Sequence, residues 1–119
     1  MRKTVVLGAS PNSKRYSFLA VQRLVESHKD VVAVGRREGE VSGIKILTDR
    51  PEIENVDTIT LYIGSANQPP WYDYILSLKP QRIIFNPGTE NRELEKLAET
   101  EGIECTVACT LVMLSAGTY

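Results

Sequence analysis

Short apolar runs rich in β-branched residues, each followed by Gly, Asn or Pro, alternate along this chain with stretches whose apolar residues recur at helical spacing. Few folds accept such alternation. The runs at 4–7, 31–34, 58–63 and 83–85 are near-continuously apolar, as strands buried on both faces of a parallel sheet must be. A fifth run, 103–107, follows the Gly102 stop and reads as a further strand. Between them, Val21, Leu24, Val25 and His28 fall at i, i+3, i+4 and i+7, so residues 16–28 read as a helix with one apolar stripe. Trp71, Tyr74, Ile75 and Leu78 repeat the spacing behind Pro69 and Pro70, which a helix start tolerates. Leu94, Leu97 and Ala98 form a third stripe, with Thr89 as N-cap and Gly102 as the left-handed stop. Residues 35–55 have room only for a short edge strand around 44–47 and one helical turn near Pro51. The expected architecture is a single α/β domain over residues 1–119, a Rossmann-like three-layer unit. Its mainly parallel sheet takes the order 3-2-1-4-5-6, with the short strand third.

A length of 119 residues suits one domain and leaves no room for a second, substrate-binding one. A net charge of -1 gives no basic footprint for a nucleic-acid backbone. The run at 4–7 is too short for a signal-peptide core or a membrane span, so the expected location is the cytoplasm and no membrane partner is expected. Cys105 and Cys109 lack zinc-ligand spacing and read as reduced thiols, small buried hydrophobes near the last strand rather than a reactive pair.

In an open parallel sheet the ligand crevice opens where the strand order reverses, here outside the strand ends at Gly8 and Gly64. After Gly8 comes Ala9-Ser10-Pro11-Asn12-Ser13-Lys14-Arg15, leading into a helix whose N-terminus attracts phosphate. The same residues are ordinary turn and cap formers. The loop has one of the three glycines of a dinucleotide fingerprint. Where NAD enzymes carry an acidic residue on the ribose diol, this chain reads Gly35-Arg36-Arg37. Guanidinium groups there suit the 3′-phosphate of coenzyme A or the 2′-phosphate of NADP; beside Glu38 and Glu40 they also suit a solvated surface.

Gly8-Ala9-Ser10, Lys14, Gly43, Val56-Asp57, Pro87-Gly88 and Cys109 occur in an order and spacing that resemble the small coenzyme A-binding domain proteins, a Rossmann-type family related to the N-terminal domain of the succinyl-CoA synthetase α-subunit. The resemblance spans nearly the whole chain. It implies coenzyme A or acyl-CoA lying across the strand ends, its phosphates at the first loop and its adenosine near the second strand. By position the contacts are Gly8, Ala9, Ser10, Pro11, Asn12, Ser13 and Lys14, then Arg36, then Ile63, Gly64 and Ser65, and finally Asn86, Pro87 and Gly88. In the synthetases a phosphorylated histidine sits on a second domain. Here the one histidine, His28, reads as a helix-end cation, and Ser10, Ser13 and Ser65 have no histidine partner at the crevice. The expectation is a binding module without a complete catalytic centre. An NADP-binding subunit of an oxidoreductase and a ligand-free interaction module stay open beside it, as do a homo-oligomer and an acyl-CoA enzyme as protein partners. Tyr72 is the aromatic outside the helix stripe, free to face a ligand.

Overall fold

The computed structural model describes residues 2–119. The chain runs β1 (Lys3–Ala9), α1 (Tyr16–Glu26), β2 (Asp30–Gly35), β3 (Glu40–Val41), β4 (Ile44–Leu47), β5 (Val56–Leu61), α2 (Tyr72–Ser77), β6 (Arg82–Phe85), α3 (Arg92–Thr100), β7 (Glu104–Val107) and α4 (Thr110–Ala116). One sheet takes the order β3-β4-β2-β1-β5-β6-β7. Every pairing is parallel except β3 with β4. The α/β class and the parallel Rossmann-like order of the expected strands hold. The addition is β3, a two-residue strand folded back on β4 through the left-handed pair Ser42 and Gly43 (φ 50° and 81°). The expected third strand is therefore not the edge. With β3 counted, the order 3-2-1-4-5-6 becomes 3-4-2-1-5-6-7.

Strand side chains alternate between faces, so β1 sends Val5 and Leu7 to one core and Val6 to the other. The first core joins Ile59, Leu61, Ile83 and Phe85 to Trp71, Ile75, Leu94 and Ala98 from α2, α3 and the turn before α2. The second joins Ala33, Val41 and Ile46 to Val21 and Leu24 of α1. On this second side β5 presents threonines rather than aliphatics. The Thr60 hydroxyl pairs with that of Thr110 at 2.7 Å, the Thr58 hydroxyl donates to Asp57 Oδ2 and accepts from Arg82 Nε, and Thr4 of β1 pairs with the part-buried Tyr119 phenol at 2.6 Å.

Helix ends differ from the sequence expectation in three places. The first helix stops at Glu26, and His28 is an exposed residue at φ 59°, its N–H bonded to the Val25 carbonyl while Lys29 N–H reaches Leu24. This is a Schellman end without glycine, so His28 leaves the apolar stripe. The N-cap of α3 is Asn91, not Thr89; its side chain accepts from the N–H groups of Glu93 and Leu94. Residues 65–71 form two 3₁₀ turns before α2, because Pro69 and Pro70 lack the N–H groups that a continuous helix uses. The helical turn expected near Pro51 does not form; 48–55 crosses as irregular chain, with Arg50 and Asn55 left-handed. Helix α4 is additional, and Gly117 at φ 72° ends it. No helix among the described residues is long and apolar enough to cross a membrane.

Candidate functional site

The floor is set by glycine. At Gly8 the β1–β2 register shifts between Leu7 and Ala9. Its φ of 95° and a Cβ position only 2.9 Å from the Tyr62 carbonyl carbon exclude any side chain. Across from it, a Cβ on Gly35 would overlap the Ala9 carbonyl oxygen. Both glycines let β1 and β2 end side by side, so the loops that follow diverge and leave a cleft.

The first loop is built from its own short polar side chains. Ser10 Oγ accepts from Asn12 N–H at 3.1 Å, Asn12 Oδ1 from Lys14 N–H at 3.0 Å, and Asn12 C=O from Arg15 N–H at 3.0 Å. Pro11 lies against Gly39, where a Cβ would come within 2.5 Å of the proline Cβ, fastening this loop to the turn after β2. The N-cap of α1 is Arg15, which supplies no side-chain acceptor, and no acidic residue stands in the first turn. The positive end of an 11-residue helix is thus left uncompensated by side chains, next to the guanidinium groups of Arg15, Arg36 and Arg37.

The opposite wall hangs on two fully buried amides. Gln68 donates to the carbonyls of Ile63 and Thr89, both at 2.8 Å, and accepts from Asn91, tying the loop after β5 to the loop after β6. Asn86 donates to Thr60 Oγ1 and the Leu61 carbonyl and accepts the N–H of Thr110, so it fixes the start of α4. Between the walls lies an open crevice of about 670 Å³, bounded by the C-terminal ends of β1, β2, β5 and β6.

A family model described as a CoA binding domain matches residues 2–115. The chain belongs to the CoA-binding domain family. No match was found among curated proteins. Among solved structures, this CoA-binding domain is similar to a crystal structure of an uncharacterized protein at 56% identity and a TM-score of 0.96, covering 100% of this chain and 98% of that one. A hypothetical protein from Pyrococcus horikoshii OT3 aligns at 22% identity with a TM-score of 0.85, covering 97% and 82%. A Thermus thermophilus protein aligns at 20% identity with a TM-score of 0.86, covering 99% and 90%. The last two likenesses establish the fold alone.

The crevice of the domain brings together Gly8, Ala9, Ser10 and Asn12 of the first loop with Arg36, and with Ile63, Gly64, Pro87 and Gly88 on the far side. Five other residues expected there lie elsewhere. Pro11 packs on Gly39, Ser13 and Lys14 are exposed and not among the lining residues, and Ser65 is exposed in the 3₁₀ turn where Asn67 lines instead. Asn86 is buried with its side-chain hydrogen bonds directed into the fold. Tyr72 does not face the crevice either: its phenol accepts from Asn91 and donates to Glu93, at 2.8 and 2.9 Å.

Sequence reasoning missed Tyr16, Ser17, Tyr62, Asn67 and Thr89 among the lining residues. Tyr62 could have been found by continuing the inward–outward alternation of β5 one step past Leu61. Tyr62 borders the crevice and packs against the second core, and its hydroxyl is buried without a hydrogen-bond partner among the described residues. Burial, with Cys109 nearby, pushes that hydroxyl up to about 12. Cys109 is the N-cap residue of α4, half-buried and outside the lining. Cys105, on β7, is pushed up to about 11 by burial and then by the carboxylates of Glu99, Glu95 and Glu104. It is a protonated thiol at neutral pH, the opposite of a nucleophile's setting. His28 stands at the far end of α1 from the crevice.

A larger depression, about 980 Å³, faces the N-terminal ends of β1, β5 and β6. There Arg2 is already paired with Asp57 and Gln81, and Glu52 and Glu54 offset its remaining cations. The switch-point crevice has the unpaired cationic end, and it is the better candidate.

Proposed function

We propose that this domain binds coenzyme A or an acyl-CoA across the switch-point crevice, and that it is a binding module without a complete catalytic centre of its own. One observation carries the reading. All the charge lining the crevice is cationic and sits at one end, as Arg15, Arg36 and Arg37 beside the uncapped α1 N-terminus, while the β5 and β6 ends are neutral. Coenzyme A is built with the same asymmetry: a 3′-phosphorylated adenosine diphosphate at one end and a long uncharged arm at the other. The diphosphate then lies at the first loop, the 3′-phosphate at Arg36, and the arm along Gly64, Pro87 and Gly88. Gly64 supports this path. Its φ is -58°, and a Cβ there would meet nothing within 4 Å, so neither backbone conformation nor the fold itself calls for glycine. A ligand passing close to the backbone does.

NADP is the competing ligand, because its 2′-phosphate would suit the same arginines. The single glycine of the first loop counts against its pyrophosphate approach. A thermal-denaturation panel with coenzyme A, acetyl-CoA, NADP and NAD separates the two. At one hundred times its dissociation constant a ligand adds about 2.7 kcal/mol of stability. The expected result is a raised melting temperature with coenzyme A or acetyl-CoA and none with NAD. A shift with NADP alone would replace the proposal, and no shift with any of the four would leave an interaction module.

A further inference from the structure

Trp71 is both core and crevice wall. It is 8% exposed within the first core, yet it lines the crevice at the neutral end. The Arg50 guanidinium carbon lies 3.7 Å from the indole centroid, and Arg50 Nη1 donates to the Pro70 carbonyl at 2.9 Å. Tyr74 meets the indole edge-on, with centroids 6.1 Å apart at 63°, and its own hydroxyl donates to the Pro51 carbonyl at 2.7 Å. Arg50 itself does not line the crevice; it is an exposed residue of the irregular crossing chain, held at φ 51°. Such backbone conformations cost free energy in a non-glycine residue and persist where the surroundings impose them. What the arrangement secures is the orientation of one ring.

The geometry points to Trp71 as the wall against which the uncharged arm of a coenzyme A-type ligand lies, and to Arg50 as the positioning residue that fixes the indole from outside the crevice. This rests on the coenzyme A reading above. The wall stands beside Ile63 and Gly64, on the side of the crevice that carries no lining charge, so it contributes nothing to holding phosphate and acts only on the arm. The indole is apolar and polarisable, and packs well against methyl groups and planar amides. An arginine over its outer face adds cation–π attraction without competing for the ligand's anionic end.

The test compares two ligands by calorimetry: coenzyme A, and adenosine 3′,5′-bisphosphate, which keeps the phosphorylated adenosine and lacks the arm. Arg50→Asn removes the guanidinium while keeping a residue that tolerates left-handed backbone. Trp71 is the only tryptophan, so its emission reports the ring directly. In Arg50→Asn the emission should move to longer wavelength and coenzyme A affinity should fall about twofold to tenfold, with bisphosphate affinity unchanged. Trp71→Phe, which keeps an apolar ring in the core, should show the same split with a larger loss. The inference is overturned if both ligands weaken by one factor, or if coenzyme A affinity stays at the parent value in both variants. A parent protein that binds neither ligand would instead overturn the coenzyme A reading, and this inference with it.

Discussion

At the scale of single residues, the crevice depends on groups that no ligand needs to touch. Asn86 shows how position along a sequence can suggest contact where chemistry gives another role. It stands at a strand end beside Pro87 and Gly88, where a ligand contact is expected, but its amide satisfies Thr60, Leu61 and the first N–H of α4. Asn86→Leu leaves Thr60 its bond to Thr110 but strips the Leu61 carbonyl and the Thr110 N–H of their amide partner, at about 1–3 kcal/mol each, so a loss of roughly 2 kcal/mol or more in urea denaturation is expected. A loss below about 1 kcal/mol would return Asn86 to the ligand surface. The same distinction explains which residues of the site were legible. Gly8 and Arg36 were, because a glycine closing the first strand and a cation in the place of an acidic residue are local signals. Tyr62 and Asn67 were not, since their approach depends on how the loop after β5 folds over. That fold is set by Gln68, whose three partners are spread from residue 63 to residue 91.

At the scale of elements, the strands were legible because each buried run is continuous and ends at a turn residue. The helices were less so. Helix α4 has no side-chain cap at Cys109, and its run from Leu111 to Leu114 is apolar without a polar face, so Gly117 was its only punctuation. Strand β3 is two residues long and exists only because Ser42 and Gly43 turn the chain back against β4. Neither element reaches the crevice lining, which is why the site could be located without them. The element that matters most is the β5 end, where Gly64 leaves the backbone bare. Gly64→Val adds a branched side chain into open space at an ordinary φ, so the fold should be kept and coenzyme A binding obstructed. A variant with the parent's circular dichroism and the parent's affinity would show that no ligand passes there.

At the scale of the whole molecule, a nearly neutral chain concentrates three guanidinium groups at one end of one crevice while its total charge is -1. On the proposed coenzyme A reading, that concentration matches the ligand's own concentrated charge and sets which end of it enters where. The fold supplies the place, the switch between β1 and β5, and the loops supply the polarity. The most direct test of that account is a calorimetric cycle of the parent and Arg36→Ala against coenzyme A and 3′-dephospho-coenzyme A. Removing a charge-assisted contact to the 3′-phosphate should cost about 1.5–3 kcal/mol, roughly tenfold to a hundredfold in affinity. The account predicts that loss for coenzyme A and an unchanged affinity for the dephospho ligand. Equal losses for both ligands, or no loss for either, would contradict it.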